Sequence, residues 1–259
     1  MKEVLVSGVS RAMLAVPGLR WLFGWGYTQV RKRSAIGPLY TALEAVFGRT
    51  NHWVVFDVGA NDAGSGIAYA RAFPRTEVHL FEAHPAVAEI ARRRVRQAGL
   101  AHRARVHEVA ASDAVGRATF HVSSQPARSD WRSEVSDSSS LLRPTGHADH
   151  FKQVAFASTI EVPTIRLDEG LSTGRWPAPD FIHLDVQGAE LMVLDGLGAH
   201  LEGVRCIWLE VEEVELYADQ PLAHEVSEYL TAAGFECSWS HSGKFHGDQL
   251  WIRRAGPST

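Results

Sequence analysis

The chain has 259 residues, longer than a minimal nucleotide-binding domain and shorter than two ordinary ones, which favours one domain with elaborations. Hydrophobic residues make up 45% and charged residues 22%, which excludes a disordered chain, and a formal net charge of -4 with 13 neutral histidines gives no global attraction for nucleic acid. Cys206 and Cys237 both sit inside apolar runs and read as small buried hydrophobes rather than a disulfide, which points to a reducing, cytoplasmic setting.

Residues 1–50 differ in texture from the rest, being rich in Trp, Gly, Leu and Arg. The apolar stretch Val4 to Tyr27 is interrupted by Arg11, Pro17 and Arg20 and is followed by no small-residue cleavage site, so it is expected neither to span a membrane nor to export the protein. Its Trp21, Phe23, Trp25 and Tyr27 stand among Arg20, Arg31, Lys32 and Arg33, and three readings compete: a helical lid over a pocket, a homodimer contact, or a surface that touches a membrane or lipid-like substrate. An aromatic-rich extension of this kind is more often buried, which favours the first two.

From residue 51 to the end, buried-type strands alternate with helical patterns. Trp53 to Gly59, Glu77 to Glu82, Arg105 to Ala111, Phe181 to Val186 and Val204 to Val211 are apolar runs of strand length. Between them, Val87 to Ala98 sets Val87, Ile90, Ala91 and Val95 on one face, and Ala189 to Leu197 and Leu222 to Ala233 show the same period. Strand and helix in alternation predict an α/β fold with a parallel sheet covered on both faces. Residues 123–157 break the rhythm with Ser, Asp, Pro and Gly and are expected to form a loop insertion at the active site or a solvated connector. Phe235 to His241 and Asp248 to Arg254, joined through Ser242 and Gly243, predict a closing antiparallel hairpin.

The first strand empties into Gly59-Ala-Asn-Asp-Ala-Gly-Ser-Gly66, where small residues let the backbone approach a nucleotide-like ligand at the start of a helix. Glu82 ends the second strand about 20 residues later, the spacing at which a carboxylate reaches ribose hydroxyls in such folds. Ser112 and Asp113 follow the third strand on the same carboxyl edge and are candidates for an adenine contact, or turn-formers ahead of Gly116. An NAD-dependent oxidoreductase would need a full G-x-G-x-x-G turn, which Gly59-Ala-Asn-Asp-Ala-Gly64 lacks.

Phe56-Asp-Val-Gly-Ala-Asn61, Phe81-Glu-Ala-His-Pro85, Ala110-Ala-Ser-Asp113, Ser138-Ser-Ser-Leu141, Thr164-Ile-Arg-Leu-Asp168 and Asp180-Phe-Ile-His-Leu-Asp-Val-Gln-Gly-Ala-Glu190 together resemble the FkbM family of methyltransferases. The resemblance implies a Rossmann-like class I methyltransferase fold with a mostly parallel seven-stranded sheet, S-adenosylmethionine as methyl donor, and O-methylation of a hydroxyl on a small natural product or sugar. N-methylation of a small molecule and a non-catalytic cofactor-binding module are the alternatives. Where the family usually has Gly two positions after the Asn, this chain has Ala63, and where the family commonly has Lys and Glu it has His183 and Gln187.

On this reading Asp57, Gly59, Asn61, Gly64, Ser65, Glu82, Ala83, Ser112, Asp113 and Asp185 form the cofactor set. Methyl transfer to a hydroxyl requires alignment and a base. Asp185, at the carboxyl end of the fourth main strand, is ranked first as that base, helped by His183, which lies two residues earlier and so on the same strand face. Ser139, Ser140, Glu210 and His246 are candidates for the acceptor pocket, and Asp185, Glu210 and His246 could together hold a divalent cation, though nothing in their spacing requires it.

Overall fold

The computed structural model describes residues 37–255. The chain divides into two units, Met1–Val46 and Phe47–Thr259. Of the first, residues 37–46 are described and are helical, and the helix (α1) runs to residue 47. The expected lid, dimer or membrane roles of the aromatic and basic segment fall on residues outside those described. No described helix is long and apolar enough to cross a membrane.

The second unit is built on a seven-stranded sheet. Its strands are β1 (Val54–Val58), β2 (Glu77–Glu82), β3 (Ala104–Glu108), β7 (Phe181–Leu184), β8 (Cys206–Glu212), β9 (Phe235–Ser242) and β10 (His246–Arg253), in the order β3-β2-β1-β7-β8-β10-β9. All neighbouring pairs are parallel except those made by β10, which runs antiparallel to both β8 and β9. The helices are α2 (Gly64–Ala72), α3 (Pro85–Gln97), α4 (His147–His150), α5 (Leu167–Ser172), α6 (Glu190–Leu197) and α7 (Ala223–Ala232).

β1 is buried along its whole length, as a central parallel strand must be. Its side chains alternate. Val54, Phe56 and Val58 join a core with Leu167 of α5, Val193, Leu194 and Leu197 of α6, and Val226 and Leu230 of α7. Asp57 points to the opposite face, where Ser65 near the start of α2 meets it. Helices therefore lie on both faces. The strand order reverses between β1 and β7, so their carboxyl ends open a crevice, the place where ligands bind in open α/β sheets.

Two sequence expectations need correction. The run to Ala111 is not one strand: β3 stops at Glu108, Val109 donates its N–H to the Glu82 carbonyl, and Ala110–Ala111 (β4) turns away to pair with a second sheet. That three-stranded sheet is a long antiparallel hairpin, β5 (Gly116–Ser124) with β6 (Ala155–Ile165), plus β4. Residues 125–154, within the expected loop insertion at 123–157, connect β5 to β6, and serines hold the connection closed: Ser123 Oγ lies 2.7 Å from Ser136 Oγ and 3.1 Å from Ser139 Oγ. The second correction is Cys237, which is exposed, because β9 is the outermost strand, while Cys206 in β8 is buried.

Candidate active site

The turn after β1 is held by main chain. Gly59 and Ala60 both donate their N–H to the Phe81 carbonyl at 3.0 Å, and Asp185 donates its N–H to the Val58 carbonyl at 3.0 Å. Gly59 has φ +79°, and a Cβ there would stand 1.9 Å from the Asp185 carbonyl oxygen, so no other residue fits. Asn61 (φ 50°) and Ala63 (φ 64°) are both left-handed, and α2 begins at Gly64. The turn therefore keeps its shape with Ala63 in a conformation that normally calls for glycine.

Glu82 is the centre of this half. Its Oε2 accepts the Asn61 N–H and its Oε1 accepts the His84 N–H, both at 2.8 Å. Burial pushes its pKa up to about 7 against the pull of those two hydrogen bonds. Beside it, Asn61 Oδ1 and His84 Nδ1 are buried without a partner among the described residues. Such groups point to a ligand that supplies hydrogen-bond partners.

Glu82, Asn61 and His84 line an open cleft together with Gly59, Ala83, Ser139 and Asp185. Val87, Val109, Ala110, Ala111, Phe120 and Leu141 give it an apolar wall. A buried acceptor for vicinal hydroxyls next to an apolar slot suits an adenosine, so the residues fit the expected cofactor.

Other members of the expected set stand elsewhere. Ser65 Oγ donates to Asp57 Oδ2 at 2.9 Å beneath the turn, and Gly64 donates its N–H to Asp62 Oδ1 at 3.1 Å. Asp62 also pairs with Arg94 of α3 and, at 3.3 Å, with Arg132 of the hairpin tip. Ser112 and Asp113 do not line the cleft: Ser112 Oγ donates to Asp113 Oδ1, and the Ser112 carbonyl packs against Gly196 of α6. The cleft reaches only Ala110 and Ala111 of that edge. His183 is drawn to the α2 side, with Nδ1 3.1 Å from Tyr69 Oη and 3.3 Å from Asp57 Oδ1. Asp185, just past the end of β7 at Leu184, lines the cleft and His183 does not.

The other half of the site is made by side chains. Gln187 has φ 56°, an unusual conformation for this residue type that clusters at functional positions. Its Nε2 donates to Asp185 Oδ1 at 2.8 Å and to Glu210 Oε2 at 2.6 Å. Tyr217 Oη lies 3.2 Å from Gln187 Oε1 and 2.8 Å from the Ser138 carbonyl, and Ser140 Oγ donates to the Gln187 carbonyl at 2.8 Å. Glu210 Oε1 lies 2.6 Å from His246 Nδ1. Asp185 and Glu210 thus share one amide while His246 meets only Glu210, and no group of three donors able to hold a metal occurs among the described residues.

Below this network lie two further buried carboxylates. Glu190 Oε1 accepts the Val186 and Gly188 N–H groups at 3.3 Å, while Glu212 Oε2 has no partner among the described residues. Burial, with the neighbouring negative charge, raises both pKa values well above the ordinary range. Gln187 and Tyr217 were not among the expected site residues. Gln187 carried a signal, as a departure from the family's pattern, whereas Tyr217 comes from a stretch with no motif.

A family model of the methyltransferase FkbM domain matches residues 57–237. The chain belongs to the FkbM methyltransferase family. The 2-O-methyltransferase NoeI of Sinorhizobium fredii (strain NBRC 101917 / NGR234) is 34% identical over 168 residues, covering 64% of this chain and 66% of NoeI, just under two thirds of that relative. Among solved structures, the precorrin-6y C5,15-methyltransferase from Geobacter metallireducens GS-15 is 14% identical with a TM-score of 0.45, over 84% of this chain and 88% of that one. An O-methyltransferase family protein from Burkholderia thailandensis is 10% identical with a TM-score of 0.46, over 85% of this chain and 56% of that one. At these scores the likeness adds nothing to the sheet order described above.

Proposed function

We propose that the cleft binds S-adenosylmethionine and that this FkbM protein methylates a hydroxyl of a small molecule, a natural product or a sugar. The observation that carries the cofactor assignment is Glu82, a buried carboxylate whose two oxygens are fixed by backbone N–H groups at the cleft wall. Fixed in this way it accepts hydroxyl hydrogens and repels a 2′-phosphate. Bound S-adenosylmethionine supplies a methyl group on a positively charged sulfur. The chain supplies orientation: Gly59 allows close approach, the Val87, Ala111 and Phe120 wall excludes water from a flat ring, and Asp185 stands where the cofactor half of the cleft meets the acceptor half. A hydroxyl acceptor is supported by the kinship with a 2-O-methyltransferase.

The test is a calorimetric titration of the full chain with S-adenosylhomocysteine, with NAD⁺ alongside. Micromolar binding of the first alone is expected. Binding of NAD⁺ alone would overturn the cofactor assignment.

A further inference from the structure

The reaction needs a group to take the acceptor's proton, and the polar network offers an imidazole beside the carboxylate at the cleft. His246 opens β10, opposite Glu212 in the register, and so stands at the same carboxyl edge of the sheet as Asp185. Its Nδ1 is 2.6 Å from Glu210 Oε1, and Glu210 is held in turn through Oε2 by the Gln187 amide. The side chain is about half exposed, at 49%, and no described residue hydrogen-bonds its Nε2. Burial and the Asp185 charge raise the pKa of Glu210, and the hydrogen bond to His246 opposes them; whenever Glu210 is ionised, Nδ1 carries the hydrogen and Nε2 presents a lone pair outward. Asp185, by contrast, has one oxygen already occupied by the Gln187 amide.

Resting on the methyltransferase reading of the cleft, we propose that His246 is the general base for the acceptor hydroxyl, with Glu210 and Gln187 as positioning residues. The acceptor's O–H proton passes to His246 Nε2 as its oxygen bonds to the methyl carbon. The carbon–sulfur bond breaks with its electron pair on sulfur, leaving a neutral thioether. The imidazolium then releases the proton to solvent from its exposed edge. The ring of Phe151 lies 5.9 Å from that of His246 by centroid, with Phe245 6.0 Å beyond it, so apolar surface for the acceptor adjoins the imidazole.

The charged groups facing His246 are Glu210 from β8, Asp248 from its own strand and Asp185 beyond β7. The hydrogen bond to Glu210 raises its pKa above the ordinary imidazole value, against the opposing effect of burial.

Two measurements on the full chain test this. In an NMR titration of the imidazoles, His246 should ionise above an ordinary histidine, and Glu210→Gln should bring it back; an unshifted His246 in the unmodified protein overturns the dyad. Transfer of labelled methyl from S-adenosylmethionine is then followed on methyl glycosides of the common hexoses and on simple phenols. His246→Gln should lower kcat by roughly 10²-fold or more with S-adenosylhomocysteine affinity unchanged, and Glu210→Gln should shift the acid limb of the pH profile. A His246→Gln enzyme as active as the original at every pH overturns the proposal. An enzyme that binds S-adenosylhomocysteine yet methylates no hydroxyl overturns it together with the O-methylation reading. Failure to bind S-adenosylhomocysteine at all marks the failure of the cofactor reading instead.

Discussion

On the β1–β2 side of the cleft the polar contacts are made by backbone: the Phe81 carbonyl fixes Gly59 and Ala60, and two main-chain N–H groups fix Glu82. On the β7–β8 side they run from side chain to side chain, Asp185 to Gln187 to Glu210 to His246. A turn held by backbone tolerates few residues and presents the same surface whatever its neighbours. A network of side chains is set by residues far apart in the chain, so it is free to change with the acceptor. The first half should therefore fail sharply when its geometry is disturbed, and the second should respond through proton positions and rates.

The largest effect is expected at Gly59. Gly59→Ala puts a Cβ against the Asp185 carbonyl in a left-handed conformation, and the two penalties together should cost roughly 3 kcal/mol or more. For a chain of this size that lowers the thermal midpoint by roughly 10 °C. A variant melting with the unmodified protein would show that the β1–β7 contact is looser than described.

Next is Glu82. Glu82→Ala should weaken S-adenosylhomocysteine binding by more than about tenfold, since hydrogen bonds to a charged group contribute about 1.5 to 3 kcal/mol. Glu82→Gln should fare little better, because both oxygens face N–H donors and an amide nitrogen in either place meets one of them. Unchanged calorimetric affinity in both variants would remove Glu82 from the site.

These two predictions rest on the half that is legible in sequence. A Gly-rich turn after an apolar strand and an acid at the end of the next are local patterns, and backbone geometry follows from local residue type. The β5–β6 hairpin was hidden because its strands read as polar: only Phe120, Val122 and Ser123 of β5 are buried, and the serine-rich tip resembles a solvated loop. The β7–β8 half was named in pieces, since Asp185, Glu210 and His246 are visible singly, but the residue that joins the two carboxylates is an ordinary Gln in an unusual conformation. His183 is taken up by Tyr69 and Asp57, contacts that its place in a short apolar strand does not announce.

A pH series separates the two halves further. Glu212 is buried with one oxygen unpartnered, and desolvation, together with Glu190, Glu210 and Asp185, holds its folded pKa above the model-compound value of 4.5. A folded carboxyl that binds its proton more tightly than the unfolded one stabilises the fold below that value, and the contribution is lost as pH rises toward the raised pKa. The thermal midpoint should therefore fall between about pH 5 and about pH 9 in part because of this group. Glu212→Gln, equal in shape and neutral throughout, should flatten the slope. Identical slopes would show that the proton is not held there.

The smallest effect is expected at Ala63, where the backbone-built half is not ideal. The residue is fully buried and left-handed, which costs an L side chain about 1 to 2 kcal/mol, while glycine would lose about 0.5 to 1 kcal/mol more entropy on folding. Ala63→Gly should therefore stabilise the fold by up to about 1 kcal/mol, read as a rise of about 2 to 4 °C in the thermal midpoint. S-adenosylhomocysteine affinity should stay the same, because Ala63 does not line the cleft and Asn61 keeps its hydrogen bond to Glu82. A fall in stability would mean that the methyl group's burial under the turn outweighs the strain, and that Ala63 is a packing residue in a position shaped for glycine.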